Sequence, residues 1–298
     1  MSRIFTRVGR APFISLAALS LCLLTCAAAA QAQPRQAQPQ QQQGQKPPKK
    51  KLQASSNFAQ YAGRDASNRL ITGGATRNIM DEAAKYTQTG QESYEAGKFT
   101  EAVEAFKKVV ALKPRSDTAH YQLGVAYEAV GSSAEAVASY RKAVELTTNS
   151  DIKAVAFYNT GNVQAAAGQT KEAIESYRKV VELMPQAPEI HYNLGLAYAA
   201  DGQSKEALES FKQAVSLRAD YTEAQFNLGI AYGTAEQYRE AVAAFKEAVR
   251  LKPDHAEAHF NLGLAHLALN ERDAAQAEIK TLQTLKPELA ARLKELAN

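Results

Sequence analysis

Residues 190–199 read IHYNLGLAYA, residues 224–233 read AQFNLGIAYG and residues 258–267 read AHFNLGLAHL, so almost the same ten residues return twice at an interval of 34. Working outward from these copies, the central glycine extends to a column of Gly90, Gly124, Gly161, Gly195, Gly229 and Gly263, with steps of 34, 37, 34, 34 and 34 residues. A second column keeps pace with it: Ala102, Ala136, Ala173, Ala207, Ala241 and Ala275, followed four residues on by Phe106, Tyr140, Tyr177, Phe211, Phe245 and Ile279. Pro114, Pro185, Pro253 and Pro287 close four of the six units. A fixed period in this range marks stacked supersecondary units, none of which can bury its apolar face alone.

Both halves of a unit carry helical periodicity. His191, Leu194 and Tyr198 stand at i, i+3 and i+7, and Ala207, Phe211 and Ala214 at i, i+4 and i+7, so each half is an amphipathic helix. Gly97, Gly131, Gly168 and Gly202 fall between the halves, with Asn270 in the last unit. These residues tolerate the left-handed backbone that ends a helix sharply. The Leu-Gly glycine and the alanine column leave room for two helices to approach while the aromatic of the same unit wedges between them.

These columns resemble the tetratricopeptide repeat, whose pattern of Leu-Gly, Tyr, Ala, aromatic and Pro recurs at this period. Leu194-Gly195, Tyr198, Ala207 and Phe211 match it in one unit, and Leu228-Gly229, Tyr232, Ala241, Phe245 and Pro253 in the next. The resemblance covers residues 83–289. It implies an all-α fold, a right-handed α-solenoid of about six helix-turn-helix units. The tail ELAARLKELAN, with Leu289, Leu293 and Leu296, predicts a capping helix over residues 290–298. Some positions depart from the pattern: Thr89 and Ser93 in the first unit, Thr160 and Gln164 in the third, and Thr148 and Ala219 in place of prolines. The three extra residues around TTNSDIK predict a longer connection and a kink between the second and third units.

Asn159, Asn193, Asn227 and Asn261 stand two residues before the glycine in the last four units, where Gln88 and Gln122 stand in the first two. They share a stripe of the first helix, separate from the packing stripe, with Glu189, Tyr192, Leu196, Ala199 and Ala200. By resemblance, first helices line a concave surface, so this stripe would face a groove. A row of amides can donate to and accept from a peptide backbone whatever its side chains, an arrangement similar to the asparagine ladder in the repeats of O-linked N-acetylglucosamine transferases. The rival reading is that each asparagine braces a neighbouring helix. Tyr158, Tyr192, Phe226 and Phe260 alternate along the stripe with Asn162, Leu196, Ile230 and Leu264, Glu189, Glu223 and Glu257 line its start, and it holds no Lys or Arg. That composition suits an extended segment, neutral or somewhat basic, with apolar side chains. Four amides at about 0.5 to 1.5 kcal/mol each would contribute roughly 2 to 6 kcal/mol before ligand ordering.

The remainder of the chain is read from composition. Arg3, Arg7 and Arg10 precede an apolar run from Ala11 to Ala30 that ends in Ala30-Gln31-Ala32, the pattern of an export signal cleaved after Ala32. A periplasmic or secreted protein follows, or a membrane-anchored one if the signal stays uncut. Residues 33–53 are rich in Gln and Pro and end in Lys49, Lys50 and Lys51, which predicts an extended linker. Membrane contact would come only through that lysine run or an uncleaved first segment. Residues 54–82 carry Phe58, Tyr61, Leu70, Ile71 and Met80 without a sustained period and are left as a lead-in. Cys22 and Cys26, the two cysteines, lie within the signal, so a cleaved chain has no thiol chemistry. Residues 1–52 hold eight Lys and Arg and no Asp or Glu, out of 35 basic and 31 acidic residues in all. The repeat region is therefore mildly acidic, which excludes the basic footprint of a nucleic-acid binder.

No phosphate loop, nucleophile motif or metal-ligand spacing is found, and no cofactor or small-molecule substrate is expected. His255, His259 and His266 read as structural, because Pro253 breaks the face that the first two would share, and His120, His191 and His259 fall in one packing column. The sequence thus points to a non-enzymatic, exported scaffold that binds partner proteins or peptide segments in its groove. Two alternatives are an accessory subunit of a cell-envelope assembly or secretion complex, held by an uncut first helix, and an enzyme with a site between residues 54–82 and the groove.

Overall fold

A computed structural model describes residues 75–298, with side chains from residue 78. The signal, the linker and residues 54–74 of the lead-in lie outside the described residues. Those described fall into two compact units, 75–217 and 218–298, and every element in them is helical.

The first unit holds eight helices in sequence: α1 (Ala75–Glu95), α2 (Phe99–Leu112), α3 (Asp117–Ala129), α4 (Ser133–Leu146), α5 (Ser150–Ala166), α6 (Thr170–Leu183), α7 (Pro188–Ala200) and α8 (Ser204–Leu217). The second holds α9 (Thr222–Thr234), α10 (Tyr238–Leu251), α11 (Ala256–Ala268), α12 (Arg272–Leu285) and α13 (Pro287–Ala297). Within each unit, consecutive helices pack as hairpins and each hairpin packs on the next. This is the all-α repeat architecture that the period implies.

The wedge between the two helices of a hairpin is literal. A Cβ placed on Gly124 would come within 2.7 Å of the Tyr140 ring, one on Gly195 within 2.7 Å of Phe211, and one on Gly229 within 2.6 Å of Phe245. Phe106, Tyr140 and Phe245 are 0% exposed, as are Ala102, Ala136 and Ala241. Burying one such aromatic contributes about 1.5 to 3 kcal/mol, and residues of the next hairpin complete the core around Phe106, Tyr140 and Phe245. In the last repeat the rule changes: a Cβ on Gly263 would collide with Leu293 of α13 rather than with a residue of its own hairpin. Leu293 joins Phe260, Leu264, Ile279, Leu282 and Ala290 in one core, with Leu289 and Leu296 packed against it, so α13 closes the array.

First helices end in a shared double hydrogen bond. Gly131 N donates to Glu128 O at 3.0 Å and Ser132 N to Tyr127 O at 2.9 Å, which satisfies carbonyls that the helix leaves unpaired. The turn residue takes φ of +75° at Gly97, +79° at Gly131 and 59° at Asn270, and also 60° at Glu236. Glu236 takes this left-handed position without being a glycine or asparagine.

The joint after α4 differs from expectation. The connection Thr147–Asn149 has three residues, against four in Lys113–Ser116, while α5 runs 17 residues against 13 for α3 and α7. The three extra residues therefore extend a helix instead of lengthening a loop. Asn149 is the reason: its side chain accepts from Asp151 N at 2.7 Å and from Ile152 N at 3.2 Å, capping the added turn. The polar residues of this repeat are satisfied internally, with Ser176 donating to Gln164 Oε1 at 2.7 Å and Thr160 to Ala156 O at 2.8 Å.

Candidate functional site

In the first unit, α1, α3, α5 and α7 are the first helices of their hairpins. Their packing positions, such as Leu123, Ala126 and Leu194, are buried. One helical face away lies a stripe that stays accessible: Val125 and Ala129 on α3, Tyr158 and Asn162 on α5, and Tyr192, Asn193 and Leu196 on α7 are half-buried, and Glu128, Ala165 and Ala199 are exposed. No Lys or Arg occupies these positions.

The asparagines do two things. Asn159 donates through Nδ2 to the Tyr121 hydroxyl at 3.1 Å, and Asn193 does the same to the Tyr158 hydroxyl at 3.0 Å. Each ties its first helix to the first helix one repeat earlier, so the amide is a brace in this unit, and Asn159, expected in the groove lining, is only 6% exposed. Asn227 and Asn261 donate to carbonyls of their own helices, Glu223 O and Glu257 O, both at 2.8 Å. For Asn261 the cause is in the sequence: the position one repeat earlier is Phe226, which has no hydroxyl. Among the described residues, its Oδ1 is the buried side-chain polar atom left without a hydrogen-bond partner.

The second unit does not present the rest of the stripe as an open row. Phe260, Asn261 and Leu264 are 0% exposed, and Phe226 and Ile230 are 7% exposed. The expected groove lining is corrected here for a physical reason: α13 packs on α11 and takes Phe260 and Leu264 into the terminal core, and Phe226 and Ile230 pack in the core of α9, α10 and α11. Lys286, at the start of α13, donates to Glu257 Oε1 at 2.9 Å, and the Arg292 guanidinium lies 5.6 Å from the centre of the Phe260 ring.

Sequence reasoning passed over Glu128. It is the stripe residue of α3 whose equivalents on α5 and α7 are Ala165 and Ala199, so no repeated column signals it. The Tyr140 hydroxyl, reaching through from α4, donates to Glu128 Oε2 at 2.7 Å. Although the residue as a whole is exposed, partial burial of its carboxyl group raises its pKa, and the Tyr140 hydrogen bond partly offsets the rise. Burial also raises the phenols of Tyr140, Tyr94 and Tyr158, with the Glu128 charge adding to each. Tyr177 donates to Asn162 Oδ1 at 2.8 Å, so the stripe between α1 and α7 is a surface of phenols, amides and carboxylates.

The histidines serve the scaffold. His120, His191 and His259 place Nε2 3.0, 2.8 and 3.0 Å from the carbonyls of Pro114, Pro185 and Pro253, six residues earlier. Gln225 makes the same bond to Ala219 O at 3.1 Å. Each pins the connection that precedes its helix. Among the described residues, no group of His, Cys, Asp and Glu is arranged to hold a metal ion, and no helix is long and apolar enough to cross a membrane. A cleft of about 510 Å³ lies among α4, α5 and α6, lined by Arg141, Glu145, Phe157, Glu175 and Arg178 among others.

Models of the tetratricopeptide repeat match the chain at residues 90–131 and 161–202, 117–150, 186–254 and 226–290. No curated protein matches the sequence. Among solved structures, the chain is similar to YrrB, described as a TPR protein with an unusual peptide-binding site, at 28% identity and a TM-score of 0.58 over 65% of this chain and 100% of that one. It is similar to MamA from Desulfovibrio magneticus RS-1 at 26% identity and a TM-score of 0.54, over 59% of this chain and 97% of that one. PilF of Pseudomonas aeruginosa shares the fold, at 18% identity and a TM-score of 0.56 over 73% of this chain and 99% of that one.

Proposed function

We propose, from the premise that the chain belongs to the tetratricopeptide repeat family, that it is an interaction scaffold that grips extended peptide segments on the first-helix face of residues 75–217. The observation that supports this most is the accessible stripe, where Tyr158, Asn162, Tyr192, Asn193 and Leu196 are each half-buried. Such residues are held in place on one side and offer phenol, amide and apolar surface on the other, the mixture that binds a backbone and its side chains together. Similarity to a repeat protein with a peptide-binding site adds to the reading. The absence of Lys and Arg from the stripe disfavours capture of a peptide's terminal carboxylate.

The reading is tested by panning a twelve-residue random peptide display library on the full-length protein, with the Leu196→Asp variant as comparison. Enrichment on the parent and its loss on a variant that keeps its helical content is the expected result. Equal enrichment on both would place binding elsewhere. A protein acting outside the cytoplasm is proposed on Arg3, Arg7, Arg10 and the apolar run that ends at Ala30-Gln31-Ala32. Terminal sequencing of the native protein should then begin at Gln33, whereas an intact start would favour the anchored form.

A further inference from the structure

The stripe also carries an electrostatic preference, and the inference that follows rests on the groove reading above. Glu128 is an exposed carboxylate of the stripe, and its hydrogen-bond partner is a neutral phenol, Tyr140 Oη, at 2.7 Å. Ion pairs in the first unit join Lys98 to Glu101, Lys107 to Glu104, Lys142 to Glu145, Lys179 to Glu182 and Lys212 to Glu209, each three residues apart, and none of these involves Glu128. Tyr94 on α1 and Tyr158 on α5 stand, half-buried, on the first helices on either side of α3. An accessible carboxylate whose hydrogen-bond partner is a neutral phenol, with tyrosines on both neighbouring first helices, is a site for an organic cation.

The second unit shows the chain satisfying the same kind of surface by itself. There, α13 brings Lys286 to the stripe carboxylate Glu257 at 2.9 Å and Arg292 over the stripe ring Phe260 at 5.6 Å. Two cations of an added segment thus meet an acid and an aromatic of the first-helix stripe. From these observations we propose that a lysine or arginine side chain of the bound segment docks on Glu128 beside Tyr94 and Tyr158, so that the face selects extended segments carrying a basic residue at one fixed position.

The peptide library is panned on the full-length protein and on the Glu128→Gln and Glu128→Lys variants. Gln keeps a hydrogen-bonding partner for Tyr140, so the fold is preserved and only the charge is removed. Peptides enriched on the parent should share Lys or Arg at one position. The best of them should bind Glu128→Gln about tenfold more weakly, while its Lys→Leu counterpart binds the parent and Glu128→Gln alike. Glu128→Lys should shift enrichment to Asp or Glu at that position, a gain that structural damage cannot produce. Enriched peptides without a basic preference, or with affinity unchanged on Glu128→Gln, would overturn the cation site and leave the groove standing. Absence of any enrichment, or equal enrichment on Leu196→Asp, would overturn both.

Discussion

At the scale of single residues, two glycine columns look alike in the sequence and do different work. Gly195 lies in a helix, and a methyl group there would sit 2.7 Å from Phe211 Cε1, whereas Gly202 lies in a turn at φ +78° with nothing within 4 Å. Gly195→Ala must move a ring that is 2% exposed and should cost about 1 to 3 kcal/mol by overpacking. Gly202→Ala meets no atom and should cost about 1 kcal/mol through its backbone alone. Urea denaturation of the two variants would show this order, and the reverse order would refute the wedge. The asparagine column yields a second contrast. Asn193 has a tyrosine hydroxyl one repeat back, and Asn261 has Phe226. Phe226→Tyr supplies the missing group near an oxygen that is buried without a partner, so it should raise stability by about 1 kcal/mol, and Tyr158→Phe should lower it by a similar amount. Thermal melts of both variants check the pair.

Helix ends decide the next scale. The extra turn of α5 hangs on Asn149, which satisfies two backbone N–H groups, so Asn149→Ala should cost about 1 kcal/mol and increase amide exchange at residues 150–153 before the rest of α5. The same three inserted residues read as a longer loop from spacing alone, because a repeat period counts residues without saying which element absorbs them. Glu236 presents the opposite case. It occupies the turn position held elsewhere by glycine or asparagine, at φ 60°, and its N–H donates to Gly233 O at 3.1 Å as the motif requires. The backbone tolerates the side chain at a penalty, since left-handed geometry costs an L-residue about 1 to 2 kcal/mol. Glu236→Gly removes that penalty and loses part of the gain to a freer unfolded chain, leaving about 0.5 to 1 kcal/mol of stabilisation in the denaturation midpoint.

For the whole molecule, the period of 34 made the hairpins, their wedges and their turns legible, because each appears as a column repeated down the chain. What stands outside a column was not legible. Glu128 has alanines as its equivalents, and Asn159 differs from Asn261 only through a tyrosine or phenylalanine one repeat away. The burial of Phe260 and Leu264 depends on a segment beyond the last repeat, so a stripe extrapolated through all repeats ran under α13. That burial leads to a prediction about the end of the array. A stack of repeats exposes its last apolar face unless something polar on its outer side covers it. Here Leu293 is 0% exposed and Ala290 is 2% exposed against Phe260, Leu264, Ile279 and Leu282, which are themselves at most 1% exposed. Ending the chain after Leu285 uncovers that core, and the apolar surface returned to water should cost at least about 3 kcal/mol. It also leaves Glu257 without the Lys286 ammonium. The shortened protein should bind a hydrophobic dye and self-associate at concentrations where the full chain does not. Because residues 75–217 form a compact unit of their own, their helices should resist urea after the end of the array has melted, giving two unfolding transitions. A single transition at an unchanged midpoint, without dye binding, would show that α13 is an accessory to the terminal core and not its lid.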